Sequence, residues 1–369
     1  MTPPHPHQVD RFAAARAVLE NAIASRAFPG CAFGVLAGGE ILLADSLGRF
    51  TYEPSSPAVT PETVYDIASV TKVAATTAMA MLLHQRGSLD LELLLGDVLP
   101  GFVAGRQPED NARKVTLRHL LAHNSGLPAY VEFFRTASNP SELFSACLQL
   151  PLEAEPGTRF EYSDPGFILL GNALEVCCGE NLAAFTHREI FTPMAMSSTG
   201  FCPASRSRPA IAPTEEDTNF RHRRIQGEVQ DENAWVLKGT AGHAGLFSNV
   251  PDVLRFSAEI LDSKPEKVTP GKPASLFTQQ TVQLFAERQG PEGSSRAIGW
   301  DTPSQNSSSG IHFSPHSIGH LGFSGCSLWI DLEAGVAIAL LTSRTWPDRQ
   351  NQLIREVRPA FHDAIREAL

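Results

Sequence analysis

Hydrophobic residues recur at helical spacing at the start of the chain and then form two short runs separated by paired glycines. Between residues 8 and 26, apolar side chains fall three or four positions apart, which predicts an amphipathic helix. The runs 31–37 and 41–47 flank Gly38-Gly39. Paired glycines supply the positive φ angles of a tight turn, so these runs predict a β-hairpin.

The pattern changes between about residue 88 and residue 240. Loops rich in Pro and Gly separate helical stretches there, without clear strand alternation. These helices are predicted at residues 116–123, 141–149, 166–178 and 181–190.

Strand signals return near the end of the chain. Two further helices are predicted, at 251–263 and 278–287. The runs 326–331 and 336–342 predict a second hairpin. A final amphipathic helix follows, which Pro359 is expected to kink or break because proline lacks a backbone donor and clashes with the preceding turn.

This order of elements predicts an α/β (α+β) fold with two lobes. Strands and helices at both ends of the chain, residues 1–87 and 240–369, predict one discontinuous α/β lobe. Residues 88–239 predict an inserted all-helical lobe. We expect the ligand site in the cleft between the lobes.

Composition excludes some partners. The 369 residues carry a net charge of −10, which argues against nucleic acid or an anionic membrane as a partner. No uninterrupted apolar run reaches membrane-spanning length. Residues 1–7 lack the features of a secretory signal, so a cytoplasmic location is expected; a periplasmic one is the alternative if an export segment had been removed. The six cysteines form no Cys-x-x-Cys pair and are expected to be reduced.

The strongest candidate chemistry is the pair Ser69 and Lys72, at a predicted helix start. Residues i and i+3 share one helical face. In an apolar setting the Lys72 amine can lose its charge and take the hydroxyl proton, which makes Ser69 a nucleophile. A helix N-terminus also offers free N–H groups to an oxyanion.

A second candidate element is Tyr162-Ser163-Asp164, at the start of the predicted helix 166–178. A phenol whose pKa is depressed by a nearby cation can serve as a general base, and Asp164 can accept a hydrogen bond from Lys72. The alternative is a tyrosine packed on a loop beside an aspartate that caps the helix.

A third candidate element is the glycine-bounded stretch 319–325. A strand here at the edge of the sheet would offer the backbone N–H of Phe323 to an oxyanion, and His320 could contact a substrate carboxylate or the leaving group. The alternative is a simple strand start.

Two other groups favour ordinary structural roles. His119, His123 and His243 have no neighbouring carboxylate cluster, so we expect bracing histidines and no metal. The arginines between residues 203 and 224 are expected to lie on a solvated loop.

Together the three elements resemble the serine β-lactamase and penicillin-binding protein superfamily, in particular the class C β-lactamase-related hydrolases with their family VIII esterases and D-stereospecific peptidases. That family carries Ser-x-x-Lys, Tyr-x-Asn and Lys/His-x-Gly in this order. Here they correspond to Ser69 to Lys72, Tyr162 to Asp164, and His320 to Gly322. Segments 117–128 and 241–248 are similar to the family as well, and the resemblance covers residues 8–368.

The resemblance implies a β-lactamase/transpeptidase-like fold and a role for each motif residue. Ser69 would be acylated, with Lys72 and Tyr162 as base. The N–H groups of Ser69 and Phe323 would form the oxyanion hole. Asp164, His320 and Gly322 would contact the substrate, without metal or organic cofactor.

Two departures from the family pattern bear on the substrate. Histidine replaces the usual lysine of the third motif, and aspartate replaces the asparagine of the second. Both favour a small-molecule ester or small amide over a β-lactam. The alternatives are a D-alanyl carboxypeptidase or D-aminopeptidase acting on cell-wall fragments, a weak β-lactamase, and a penicillin-recognising sensor that acylates without turnover. The chain lacks the Gly-x-Ser-x-Gly elbow of α/β-hydrolases. Its oligomeric state stays open.

Overall fold

The computed structural model describes residues 11–263 and 275–369, and its strands lie mostly at the two ends of the chain. Residues 8–10 of the predicted first helix fall outside this range. The strands are β1 (Gly30–Ala37), β2 (Glu40–Gly48), β3 (Tyr65–Asp66), β4 (Gly200–Phe201), β5 (Glu215–Asp217), β6 (Arg223–Ile225), β7 (Leu246–Ser248), β8 (Ile318–Leu321), β9 (Ser327–Asp331) and β10 (Val336–Thr342).

The helices are spread over the whole described chain. They are α1 (Ala13–Ala24), α2 (Ala78–Gln85), α3 (Leu95–Val98), α4 (Leu117–Leu121), α5 (Pro140–Leu148), α6 (Asp164–Cys178), α7 (Leu182–Thr186), α8 (Glu232–Val236), α9 (Val250–Leu261), α10 (Gln279–Ala286) and α11 (Ile354–Glu367). Two π-helical segments, Lys72–Thr77 and His187–Phe191, precede α2 and follow α7.

The main sheet is antiparallel and joins the two ends of the chain. Its strand order is β2-β1-β10-β9-β8. Phe33 of β1 lies opposite Asp45 on one side and Leu340 on the other. Both predicted hairpins are present, β1–β2 and β9–β10, and Gly38 and Gly39 take φ angles of 60° and 81° at the first turn.

Helices cover both faces of this sheet because successive strand residues point to opposite sides. On one face, Phe33 meets Phe361 of α11 edge to face at 5.7 Å, in a buried cluster that also contains Leu19 of α1. On the other face, Ala32 belongs to a cluster that contains Leu254 of α9. The sheet is therefore a middle layer between helices, and β8 forms one of its edges.

Two details differ from the sequence-based expectation. Helix α11 continues through Pro359, so the proline does not break it. The inserted segment 88–239 contains the short strands β4, β5 and β6 in addition to helices, so it is not all-helical. Strands of two or three residues are too short to show an alternating pattern, which is why the sequence did not predict them.

Within residues 11–263 and 275–369, no single helix is long and apolar enough to cross a bilayer. Helix α6 and the helical segment 182–191 meet the length and apolarity criteria only when taken together, and the pair is bent by 72°.

Candidate active site

A cleft of about 700 Å³ brings the predicted site residues together. Lys72 lies buried beneath it, with none of its side chain exposed. The other six residues line the cleft: Ser69, Tyr162, Asp164, His320, Gly322 and Phe323. The three distant motifs therefore form one site.

Ser69 lies in a short 3₁₀ turn directly before the helical segment 72–85. The residue before it, Ala68, has a φ of +48°, which is costly for a residue with a side chain. Asp66 stabilises this turn: one carboxylate oxygen accepts from the N–H of Ala68 (2.8 Å) and the other from Gln230 (2.7 Å). Burial raises the pKa of Asp66 to about 6, against the opposing effect of these two donors.

Lys72 donates its three hydrogens to three acceptors. They are Oγ of Ser69 (3.1 Å), Oδ1 of Asp164 (2.6 Å) and the carbonyl oxygen of His243 (3.0 Å). Burial alone would lower the pKa of Lys72, but the Asp164 carboxylate and the Tyr162 phenol outweigh it, so the net pKa is raised. Lys72 is therefore an ammonium ion at rest, and the neutral amine that can take a proton is the minor form.

Tyr162 packs among cationic and aromatic groups. Its ring centroid lies 4.9 Å from Nζ of Lys72, 4.6 Å from the ring of His123 and 5.2 Å from Cζ of Arg296. Burial raises the pKa of Tyr162, and the nearby Lys72 only reduces this effect. The prediction of a general base required a depressed pKa for Tyr162, and the pKa is raised instead. The Tyr162 phenol is therefore neutral at rest.

The turn 162–164 is fixed by its middle residue. Ser163 Oγ accepts from the N–H of Gly166 (3.0 Å) and so caps α6, while the Ser163 N–H donates to Nδ1 of His123 (3.0 Å). Asp164 is therefore not the helix cap. Its carboxylate is left to pair with Lys72, as the sequence predicts.

The turn after β8 is held against the backbone that precedes Ser69. A Cβ atom on Gly322 would lie 2.5 Å from the carbonyl oxygen of Ile67, so only glycine fits there. Ser324 Oγ also donates to the Asp66 carbonyl (2.8 Å). Within the part of the chain that the structure describes, neither the Ser69 N–H nor the Phe323 N–H has a protein acceptor. Both therefore remain available to a ligand in the cleft.

His320 is a neutral imidazole. Its Nδ1 lies 2.8 Å from the Leu321 carbonyl, which can only accept, so Nδ1 carries the proton. Burial, assisted by the cations Arg296 and Lys72, brings the pKa of His320 well below its usual value. The predicted contact with a substrate carboxylate therefore cannot be an ion pair. Nε2 is an unpartnered acceptor among the described residues.

The three histidines for which the sequence predicts a bracing role are held by local contacts. His123 accepts from Ser163 and stacks on Phe167 at 4.8 Å, and its pKa is well below the usual value because of burial. His119 accepts from the Thr116 N–H at the start of α4 (3.1 Å). His243 pairs with Asp231 at 2.9 Å.

A buried carboxylate cluster lies beside the cleft, and one of its members, Glu232, lines it. Glu215, Asp217 and Glu232 are close enough to one another to hold a cation. Arginines already neutralise them: Arg221 pairs with Asp217 at 2.9 Å and Arg349 with Glu232 at 2.8 Å. Arg221 is thus buried, although the sequence predicted a solvated loop for it.

Sequence reasoning missed the arginines of the cleft. Arg344, Arg355 and Arg358 line it and have no carboxylate partner within residues 11–263 and 275–369. A signal existed for Arg358, because it shares the α11 face of Ile354, Phe361 and Ile365, where an apolar residue is the norm. A cation at such a position indicates a special role.

Comparisons with known proteins identify the family and support the fold. Residues 15–359 match the family described as Beta-lactamase. The chain is similar to the N-acetylmuramyl-L-alanine amidase of Bacillus subtilis (strain 168), 31% identical over 360 residues that cover 89% of this chain and 79% of the relative. It is similar to a putative D-alanyl-D-alanine carboxypeptidase of Salmonella typhimurium, 29% identical and covering 77% and 70%. Among solved structures, EstCE1, a hydrolase with promiscuous acyltransferase activity, superposes with a TM-score of 0.75 at 21% identity, covering 96% and 99%.

Proposed function

This chain belongs to the beta-lactamase family, and from that premise we propose that it is a serine hydrolase that forms an acyl-enzyme on Ser69 with carboxylic esters or small amides. The observation that carries the proposal is the 3.1 Å contact between Ser69 Oγ and Lys72 Nζ beside Tyr162, at the base of the cleft. A nucleophile in contact with candidate proton carriers, next to free N–H donors, is the arrangement that acyl transfer requires.

The reaction begins when Ser69 Oγ attacks the substrate carbonyl carbon. The hydroxyl proton passes to the deprotonated form of the Lys72–Tyr162 pair, and the same pair returns it to the leaving group when the tetrahedral intermediate collapses. Water then attacks the Ser69 ester, again with this pair as base. Because both groups are protonated at rest, the reactive form of the site is a minor one at neutral pH.

The oxyanion of the tetrahedral intermediate needs donors that are already in place. We assign this role to the N–H groups of Ser69 and Phe323, which have no other acceptor in the described structure. Gly322 keeps the second donor close to the first, because it allows the turn to contact Ile67.

Covalent labelling tests the proposal. A fluorophosphonate probe should label the protein, and the adduct should map to Ser69 by peptide mass analysis. The Ser69→Ala variant should lose both the label and turnover of p-nitrophenyl esters. Retained turnover in that variant would refute the assignment. A single burst without steady turnover would instead favour a sensor that acylates and stays acylated.

A second candidate function is an amidase or peptidase acting on small cell-wall fragments that carry a carboxylate. Arg344 and Arg355, which have no carboxylate partner in the described chain, favour anionic substrates at this end of the cleft. The amidase and carboxypeptidase names of the two relatives support the same class. A panel of p-nitrophenyl esters, a chromogenic cephalosporin, D-alanyl dipeptides and N-acetylmuramyl-L-alanine separates this candidate from a plain esterase by kcat/KM.

A further inference from the structure

Arg358 is a buried cation with an unusual set of partners. It lies on α11, only 6% of its surface is exposed, and it has no carboxylate within 4.0 Å in the described chain. It donates instead to three carbonyl oxygens: Gly322 (2.7 Å), Cys326 (2.9 Å) and Gly325 (3.2 Å). All three belong to the turn that follows β8.

The contact with the Gly322 carbonyl involves the same peptide group as the proposed oxyanion donor, the Phe323 N–H. The Gly322 carbonyl and the Phe323 N–H are the two ends of a single planar peptide group. A cationic donor on the carbonyl oxygen draws electron density from the amide, which makes the opposite N–H a stronger donor. Arg358 thus lies behind the peptide group whose N–H is free on the cleft side.

The neighbouring contacts limit what else Arg358 could do. Arg344 holds the next carbonyl, that of Phe323 (2.8 Å), and its guanidinium lies 4.3 Å above the Phe323 ring, so the turn has a second anchor. Gly322 is held by the Cys326 carbonyl through its own N–H (2.7 Å). The turn therefore does not depend on Arg358 alone for its shape. A cation without a counter-ion costs stability when buried, and an apolar residue would pack on this face of α11 at lower cost.

We propose that Arg358 is a positioning residue that polarises the Gly322–Phe323 peptide group and so strengthens the oxyanion hole. The inference rests on the proposed acyl-enzyme function. This role needs no contact with the substrate, because Arg358 acts through the Phe323 N–H. Its positive charge also lies behind the point where negative charge develops in the transition state.

The test uses the infrared carbonyl stretch of the acyl-enzyme, which reports polarisation by the oxyanion hole directly. Wild type, Arg358→Lys and Arg358→Met are acylated with p-nitrophenyl pivalate labelled with ¹³C at the carbonyl. In Arg358→Met we expect the stretch at higher frequency and kcat reduced roughly tenfold or more, with KM little changed. Arg358→Lys keeps the positive charge and should fall between Arg358→Met and wild type. Arg366→Met is the matched control on the same helix: it removes the 3.1 Å pair with Asp331, and its stretch should equal that of wild type.

The possible outcomes separate the two proposals. A wild-type protein without a Ser69 adduct would end the proposed function and this inference with it. Folded Arg358 variants that acylate with an unchanged stretch and unchanged kcat would overturn this inference alone. If neither variant folds, the NMR chemical shift of the Phe323 amide proton in wild type provides the test. A strongly deshielded resonance supports polarisation, and a resonance typical of an exposed amide contradicts it.

Discussion

Lys72 Nζ lies closer to Asp164 Oδ1 (2.6 Å) than to Ser69 Oγ (3.1 Å). The Asp164 carboxylate is therefore the closer partner of the ammonium group, and it favours the protonated form of Lys72. A neutral Lys72 amine would be the better base for Ser69. An asparagine, the residue typical of the family at this position, would exert no such charge. The aspartate thus favours the charged form of Lys72.

Asp164→Asn should shift the pH dependence of the reaction. Asp164 raises the pKa of both Lys72 and Tyr162, so its removal lowers both values whichever group is the base. We expect the rising limb of kcat/KM against pH to move to lower pH in the variant, with higher relative activity at neutral pH. The control is Glu155→Gln, which removes an exposed carboxylate paired with Lys114. A limb that does not move would contradict the raised pKa of the pair.

Gly322→Ala should damage catalysis more than stability. Its Cβ would lie 2.5 Å from the Ile67 carbonyl, so the turn must move away and take the Phe323 N–H with it. Loss of one oxyanion donor costs a factor of about 10² to 10³ in kcat. Gly200→Ala is the matched control, because nothing lies within 4 Å of a Cβ there. Steady-state kinetics with a p-nitrophenyl ester check the result, and equal kcat values for the two variants would refute this role of the turn.

Asp66→Asn should change how stability depends on pH. The pKa of Asp66 is about 6 in the folded protein against 3.8 for an ordinary aspartate, so the folded state binds this proton more tightly than the unfolded state. Wild type therefore loses about 2 kcal/mol of stability from this group as pH rises from 4 to 7. Urea unfolding of both proteins at several pH values measures the difference. A difference that does not vary with pH would show that Asp66 has an ordinary pKa.

Arg355→Gln should alter the preference for substrate charge. Arg355 is exposed, lines the cleft and has no carboxylate partner in the described structure. Removing an exposed charge of this kind is worth about 0.5–1 kcal/mol, or roughly a two- to fivefold increase in KM for a carboxylate-bearing substrate. A neutral ester should be unaffected. Arg206→Gln makes the same charge change at an exposed position outside the cleft, and an equal effect there would argue against local recognition.

Much of the framework could be predicted from local patterns. Gly38-Gly39 between two apolar runs led to the correct hairpin, and the apolar periodicity led to helices close to their observed ends. The meeting of Ser69, Lys72 and Tyr162 in one cleft followed from the order of three motifs and not from any single one. Strands β4 to β6 were missed because two or three residues carry no periodic signal.

The charge states of the site could not be predicted in the same way. Whether Lys72 is neutral depends on a carboxylate 92 positions away and on the competing effect of burial, and neither is visible in a spacing. The same holds for His320, whose neutrality follows from its burial beside Arg296. Arg358 carried a signal, a cation among apolar positions of α11, but its three carbonyl partners appear only in the fold.

The position of β10 between β1 and β9 also has a consequence for biosynthesis. A ribosome releases the chain from the amino end, so Ser69 and its neighbours emerge long before residues 318–342. Strand β10 connects the β1–β2 hairpin to β9 and β8 in the main sheet. Before β10 is made, the sheet cannot hold the turn that carries the Phe323 amide next to Ser69. On the proposed mechanism, acylation of Ser69 therefore requires that the last strands have joined the sheet.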